Sequence, residues 1–253
     1  MIISAQAYTI RNFLKTQEDI EKSITKLKEI GFNNLQISGF GNYDVDWLKD
    51  LLLKLDMTVC ATHTPLDRIL NDTDNVIKEH LKLNIPYVGL GYTRFSCIDE
   101  VKKHLTDLSP VIKKIKDNGL KFIHHNHNYE FMPLDGKVCA MNYILENTSP
   151  DEYGLLPDTY WLQYSGLSPS KFIKDNADRI DVIHLKDMSL DMEGKQIFSE
   201  VYNGNIDFDE IIKTAQSVGV SYAAIEQDSC YGKDPFDSLK TSLNNILSRN
   251  ILK

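Results

Sequence analysis

No stretch of this chain approaches the roughly 18 consecutive apolar residues that a membrane span needs. No Lys/Arg-rich run of the kind that grips a phosphate backbone is present either. Lys and Arg number 28 against 36 Asp and Glu, a net charge of -8, so no basic face for nucleic acid is expected. Neither a nucleic-acid nor a membrane partner is expected. The first residues, MIISAQAYTIR, lack a basic region followed by an apolar one, so no signal peptide is expected. Cysteine is scarce: Cys60, Cys97, Cys139 and Cys230 are scattered with no CxxC. That excludes a disulfide framework or zinc ribbon and suits small buried thiols in a reducing, cytoplasmic setting. No GxGxxG follows the first strand-like run, which counts against a dinucleotide fold.

What is present is regular. Of 253 residues 42% are hydrophobic, enough for one large core. Strand-like runs fall at 2–9, 34–39, 58–64, 86–92, 121–127, 153–159, 181–187 and 222–228. Amphipathic runs with apolar residues three and four apart predict helices at 18–31, 45–55, 76–84, 99–119, 137–147, 169–180, 207–219 and 235–249. Gly31, Gly119 and Gly219 fall where helices end. Eight strand–helix units in about 250 residues predict an α/β fold, a (β/α)8 TIM barrel, over a doubly wound sheet. No linker or composition shift divides the chain, so a single domain over residues 1–253 is expected. The span from Met188 to Ile206 reads as an active-site loop.

In a barrel the C-terminal strand ends converge on one face. Polar residues gather in or just after the strand-like runs: His63, His124, His125, His127, Asp158, His184 and Glu226. Side chains two apart share a face, which pairs His125 with His127, His184 with Lys186, Glu226 with Asp228 and Gln6 with Tyr8. Unpaired polar groups in a plain core cost a few kcal/mol each, so their convergence points to a divalent-metal site. Each has a plainer reading. Asp158, after Pro157, suits a turn cap, and His184 alone suits a hydrogen-bonded core position. Lys186 has acidic neighbours to pair with, His63 before Thr64-Pro65 would brace a loop, and His80 and His104 read as helix surface residues.

The segments THTPL (62–66), HHNHNYEF (124–131), PDTYWLQYSG (157–166), VIHLKD (182–187), NGNIDF (203–208) and AIEQD (224–228) resemble the sugar phosphate isomerase/epimerase family, the xylose isomerase-like TIM barrels. The likeness runs over nearly the whole chain. It implies a divalent cofactor (Mn, Mg, Co or Zn) held by a Glu after the fifth strand, an Asp after the sixth, a His after the seventh and a Glu after the eighth. Asp158, His184 and Glu226 match the last three. At the fifth strand the usual Glu position falls on His125. Either Glu130 reaches back from the following loop, giving Glu130, Asp158, His184 and Glu226, or His125 or His127 supplies the ligand. Trp161 stands where some members carry a second His, and Gln36 where many carry Glu.

The implied activity is isomerisation or epimerisation of a sugar or keto-sugar through an enediolate. Glu226 would be the base, with His125, His127 or Glu130 serving the opposite face. Lys186 would steady negative charge on oxygen. Tyr8 and Trp161 would stack on the sugar and His63 would bond a hydroxyl. Two other functions fit the same residues: a lyase or hydratase on a keto-inositol or 3-keto-sugar, and a non-catalytic sugar-binding barrel. No Gly-rich phosphate cradle stands out, which favours an unphosphorylated substrate. The family also raises the expectation of a homo-oligomer.

Overall fold

A computed structural model describes residues 1–136 and 138–251. The eight barrel strands are β1 (Ile2–Gln6), β2 (Asn34–Ile37), β3 (Thr58–Thr62), β4 (Tyr87–Leu90), β5 (Lys121–His125), β6 (Gly154–Leu156), β7 (Val182–Leu185) and β8 (Tyr222–Ile225). They form one parallel sheet in the order β6-β5-β4-β3-β2-β1-β8-β7. Its ends meet through the parallel bridges Leu155–Ile180 and Asp158–His184. The fold is the expected α/β (β/α)8 barrel, and its closing seam sets two of the candidate ligands side by side.

The helices cover the sheet. α1 (Gln17–Ile30) shows why the amphipathic runs fold as they do. Ile20, Ile24 and Leu27 form its buried stripe, each contributing roughly 2 kcal/mol by leaving water. Thr16 and Asp19 close a capping box at its start, and Gly31, at φ +117, ends it in the left-handed region. The others are α2 (Val45–Lys54), α3 (Leu66–Asn71), α4 (Thr73–Lys82), α5 (Ile98–Asp117), α6 (Ala140–Asn147), α7 (Thr159–Tyr164), α8 (Pro169–Asp175), α9 (Phe208–Ser217) and α10 (Pro235–Ser248). The helix expected from residue 137 begins at Ala140; Lys137 itself lies outside the described residues.

The barrel interior changes character along its axis. Tyr87 and Tyr222 meet edge to face at 6.2 Å. They pack against a buried cluster of Cys60, Ala61, Ile123, Leu156 and Val182. Two residues further along β5, β6 and β7 the same inward parity delivers His125, Asp158 and His184. The four cysteines are free. Among the described residues no helix is long and apolar enough to cross a membrane.

Several expectations are corrected. The first strand stops at Gln6, because Ala7–Phe13 winds into a 3-10 segment started by Tyr8 N–H donating to Gln6 Oε1 at 2.8 Å. The span after Met188 is not all irregular: Asp187–Leu190 pairs antiparallel with Gln196–Ser199. His80 and His104 are not surface residues. His80 is held by Val76 O at 2.7 Å and Thr62 Oγ1 at 3.0 Å, and His104 by Tyr153 OH at 3.1 Å. Each turns with an apolar stripe toward the sheet, His104 alongside Val101 and Leu108.

Candidate functional site

His125, Asp158, His184 and Glu226 bring one donor atom each to within 4.8 Å of one another, all four buried. Each is aimed by local structure. Asp158 caps α7: its Oδ1 accepts Tyr160 N–H at 2.9 Å and Trp161 N–H at 3.1 Å. That leaves Oδ2 for the cluster, so the capping and ligand readings of Asp158 use different oxygens. Its own N–H donates to Asn126 Oδ1 at 3.1 Å.

The two imidazoles are oriented from outside. His125 Nδ1 lies 3.2 Å from Gly91 O. A carbonyl oxygen only accepts, so this contact is a hydrogen bond when Nδ1 carries the proton. Burial lowers the His125 pKa, with the nearby His184 adding to the effect, and the neutral ring holds a single proton. Its Nε2 lies 3.2 Å from Asp158 Oδ2, a second acceptor facing the ring. His184 repeats the pattern: Nε2–H donates to Gln36 Oε1 at 2.7 Å. Its buried Nδ1 has no hydrogen-bond partner. Glu226 Oε2 stands 3.0 Å from it, out of line for a hydrogen bond, and Asp158 Oδ2 at 3.7 Å. Burial opposes a charge on His184, but Glu226 and Asp158 prevail and raise its pKa. Two ring nitrogens set against carboxylate oxygens ask for a cation, and an outer acceptor fixing each tautomer is the usual surrounding of metal-bound histidine. The donor set fits a divalent ion.

Lys186 also reaches this group. Its Nζ lies 3.1 Å from Asp158 Oδ2, 2.9 Å from Glu226 Oε2 and 2.9 Å from Asp228 Oδ2. Burial alone would lower its pKa, but the three carboxylates hold it well above the usual lysine range. Burial would likewise raise Asp158 and Glu226, yet Lys186 and the histidines hold both well below the carboxylate range. Asp228 goes the other way, pushed up to about 6 by burial, against the pull of Lys186.

A cavity of about 760 Å³ opens over the cluster, walled in part by Tyr8, His63, His125, His127, Lys186, Glu226 and Asp228. Burial drives the His63 pKa well below its ordinary value, so the ring is neutral. Gln6 Nε2 donates to His63 Nδ1 at 3.2 Å, which leaves the buried His63 Nε2 without a partner. Gly91 makes room for that ring: a Cβ there would stand 2.7 Å from His63 Cγ. His127 is lowered to about 3 by burial and His125, and its Nδ1 is also unpartnered.

Glu130 is not among the four. Its Oε1 accepts Thr93 Oγ1–H at 2.5 Å and its Oε2 accepts His127 N–H at 2.8 Å. His124 Nε2 stands 3.7 Å away, both side chains fully buried. The 3-10 turn Tyr129–Phe131 holds Glu130 away from the bore, so the cluster atom from β5 is His125 Nε2. Trp161 does not reach the cavity wall; it packs on His127 at 5.5 Å and joins Tyr160, Tyr164 and Phe198. The ring of Tyr8 carries the Arg11 guanidinium 4.3 Å above it. The sequence reading passed over Gln36 and Gly91 as orienting groups, and Arg11 and Arg94 in the cavity wall. Their signal was position, Gln36 near the end of β2 and the other three in the segments that follow β1 and β4.

No family model matches the chain, and no curated protein matches it in sequence. Solved structures do match. A sugar phosphate isomerase/epimerase from Parabacteroides distasonis superposes with a TM-score of 0.82 at 19% identity, over 99% of this chain and 95% of that one. An L-ribulose 3-epimerase gives a TM-score of 0.76 at 16% identity, over 98% and 94%. The IOLI protein, solved with a zinc atom, gives 0.71 at 12% identity, over 98% and 97%. At these identities what is shared is the fold, that of the sugar phosphate isomerase/epimerases and xylose isomerase-like TIM barrels.

Proposed function

We propose that this protein is a divalent-metal-dependent isomerase or epimerase of a sugar or keto-sugar, with His125, Asp158, His184 and Glu226 as metal ligands. The observation that carries the reading is buried His125, whose neutral ring has one proton but faces two acceptors, Gly91 O and Asp158 Oδ2, so that a cation between His125 and Asp158 would satisfy both contacts. Two imidazoles with two carboxylates suit Zn²⁺, Co²⁺ or Mn²⁺ better than Mg²⁺. When bound, such an ion polarises a carbonyl and its neighbouring hydroxyl and acidifies the carbon between them.

The chain's own residues supply the rest. His63 offers Nε2–H to a substrate hydroxyl. Lys186 places an ammonium where negative charge grows on a substrate oxygen. Asp228 and neutral His127 line the same cavity, from the segments after β8 and β5, and are the groups to move a proton at the reacting carbon. Glu226, held ionised beside Lys186 and His184, acts as a ligand rather than as the base first expected.

A second reading rests on His125 and His127. With imidazoles in place of a fifth-strand carboxylate, neutral His127 would take the proton from the carbon and, as the imidazolium so formed, hand it to the leaving hydroxyl, which departs as water. The reaction would then be that of a lyase on a keto-inositol or 3-keto-sugar. Incubation of the Mn²⁺-loaded protein with L-ribulose and related ketoses in D₂O separates the cases. Deuterium entering a carbon without loss of water supports the isomerase or epimerase, and a dehydrated product supports the lyase. Bound ketose with no exchange across the panel sinks both.

A further inference from the structure

Two guanidinium groups remain in the cavity wall with no anion to meet them. Arg11 and Arg94 both line it. Neither takes part in an ion pair among the described residues. Arg68, by contrast, is paired with Asp72 and Glu79, and Arg179 is saturated by carbonyl oxygens and Thr148. This is a chain of 36 acidic residues against 28 basic ones, so carboxylates are not scarce. Within the wall, the two carboxylates Glu226 and Asp228 are both engaged by Lys186.

Arg11 is held in place, and exposed Arg94 lies over an aromatic ring. Arg11 Nη1 donates to Tyr8 O and Nη2 to Asp228 O, each at 2.9 Å. Its Cζ stacks 4.3 Å from the Tyr8 ring centre. Gly39, at φ +71, leaves it room, since a Cβ there would come within 3.0 Å of Arg11 Cβ. A guanidinium has five N–H groups, so the two carbonyls leave donors to spare. Arg94 lies with Cζ 4.9 Å from the Tyr129 ring centre. It follows Thr93, whose hydroxyl is clamped on buried Glu130 at 2.5 Å. Planar, permanently charged forks lying on aromatic faces match the paired oxygens of carboxylate and phosphate, and a neutral sugar has no use for them.

We infer that Arg11 and Arg94 form an anion subsite, and that the substrate carries an anionic end group, a carboxylate or a phosphate, beside the polyol part that meets the histidines. This rests on the reading of the cavity as the substrate site. Calorimetric titration of the Mn²⁺-loaded protein with D-glycerate, inorganic phosphate and glycerol tests it, in wild type, Arg94→Gln and Arg11→Gln/Arg94→Gln. An anion should bind wild type more tightly than glycerol does and lose about tenfold in affinity for each arginine removed. Tighter D-glycerate assigns the end group as a carboxylate, and tighter phosphate as a phosphoryl group. Anion affinity unchanged in both variants would put the anion on the metal or Lys186 and overturn the subsite, as would glycerol binding as well as either anion. Arg94 is exposed, so Arg94→Gln reports even if the double variant folds poorly. Metal content and Mn²⁺ affinity of the same wild-type samples do not involve the arginines, so failure of the metal site on which the enzymatic reading rests shows separately.

Discussion

Replacing Glu130 by Gln separates a metal ligand from a brace. Burial alone would raise the Glu130 pKa, but His124, Thr93 and the His127 N–H hold it at about 2 against an ordinary value of 4.5. At 1.36 kcal/mol per unit, that difference contributes about 3 kcal/mol to folding. Because the folded pKa is the depressed one, the contribution is complete above pH 4.5 and is lost as pH falls toward 2. Gln can keep the His127 N–H bond through its oxygen and donate its NH₂ to the Thr93 hydroxyl, but it lacks the negative charge that His124, Thr93 and His127 N–H stabilise. For a chain of this size 1 kcal/mol moves Tm by about 2–4 °C, so Glu130→Gln should melt about 6–12 °C below wild type at pH 7. The gap should narrow as both proteins are scanned toward pH 3. Elemental analysis after equilibration with Mn²⁺ should find the same ion content in both. An ion lost from the variant at an unchanged Tm would refute the reasoning and make Glu130 the fifth-strand ligand.

Three further substitutions probe the cluster. Lys186→Met leaves Asp158, Glu226 and Asp228 without their shared ammonium, at a cost of about 3–5 kcal/mol in metal-free protein. Mn²⁺ should therefore raise the Tm of the variant more than that of wild type, and an equal rise would count against a shared charge site. Gln36→Leu removes the acceptor for His184 Nε2–H and should weaken metal binding about 10–100-fold in a chelator competition. Unchanged affinity would show that the tautomer is fixed by something else. Gly91→Ala drives a Cβ to 2.7 Å from the His63 ring. Metal content should hold while glycerol or ketose affinity falls and stability drops by about 1–3 kcal/mol of overpacking; wild-type ligand affinity would contradict the role given to His63.

The barrel was legible because its signals are periodic and repeated. Helix stripes such as Ile20, Ile24 and Leu27, and polar residues replacing apolar ones at strand ends, recur along the chain. Inward parity was legible too, since His125, His184 and Lys186 follow the two-residue period of apolar neighbours facing the bore. Whether an acid one turn past a strand points back in was not legible. Glu130 sits in a 3-10 turn whose direction depends on Thr93 and His124, and no period encodes that. His104 shows the opposite failure. It lies in register with Val101, Leu108, Ile112 and Ile115, but Lys102 and Lys103 precede it directly and mask that stripe in the sequence.

An imidazole at the fifth strand changes the charge of the whole site. Where the resemblance implies a glutamate, His125 contributes no charge, because burial keeps its ring neutral. Two of the four cluster residues are then anionic, Asp158 and Glu226, and Lys186 already touches both. A third carboxylate would have made the floor of the cavity more negative and would have repelled an anionic substrate by a few kcal/mol at close range. With His125 in its place, and Arg11 and Arg94 uncompensated in the wall, the bore can accept negative charge. His125→Glu should accordingly weaken D-glycerate binding to the Mn²⁺-loaded protein while leaving glycerol binding unchanged. Equal losses for both would mean that the histidine acts through shape and not through charge.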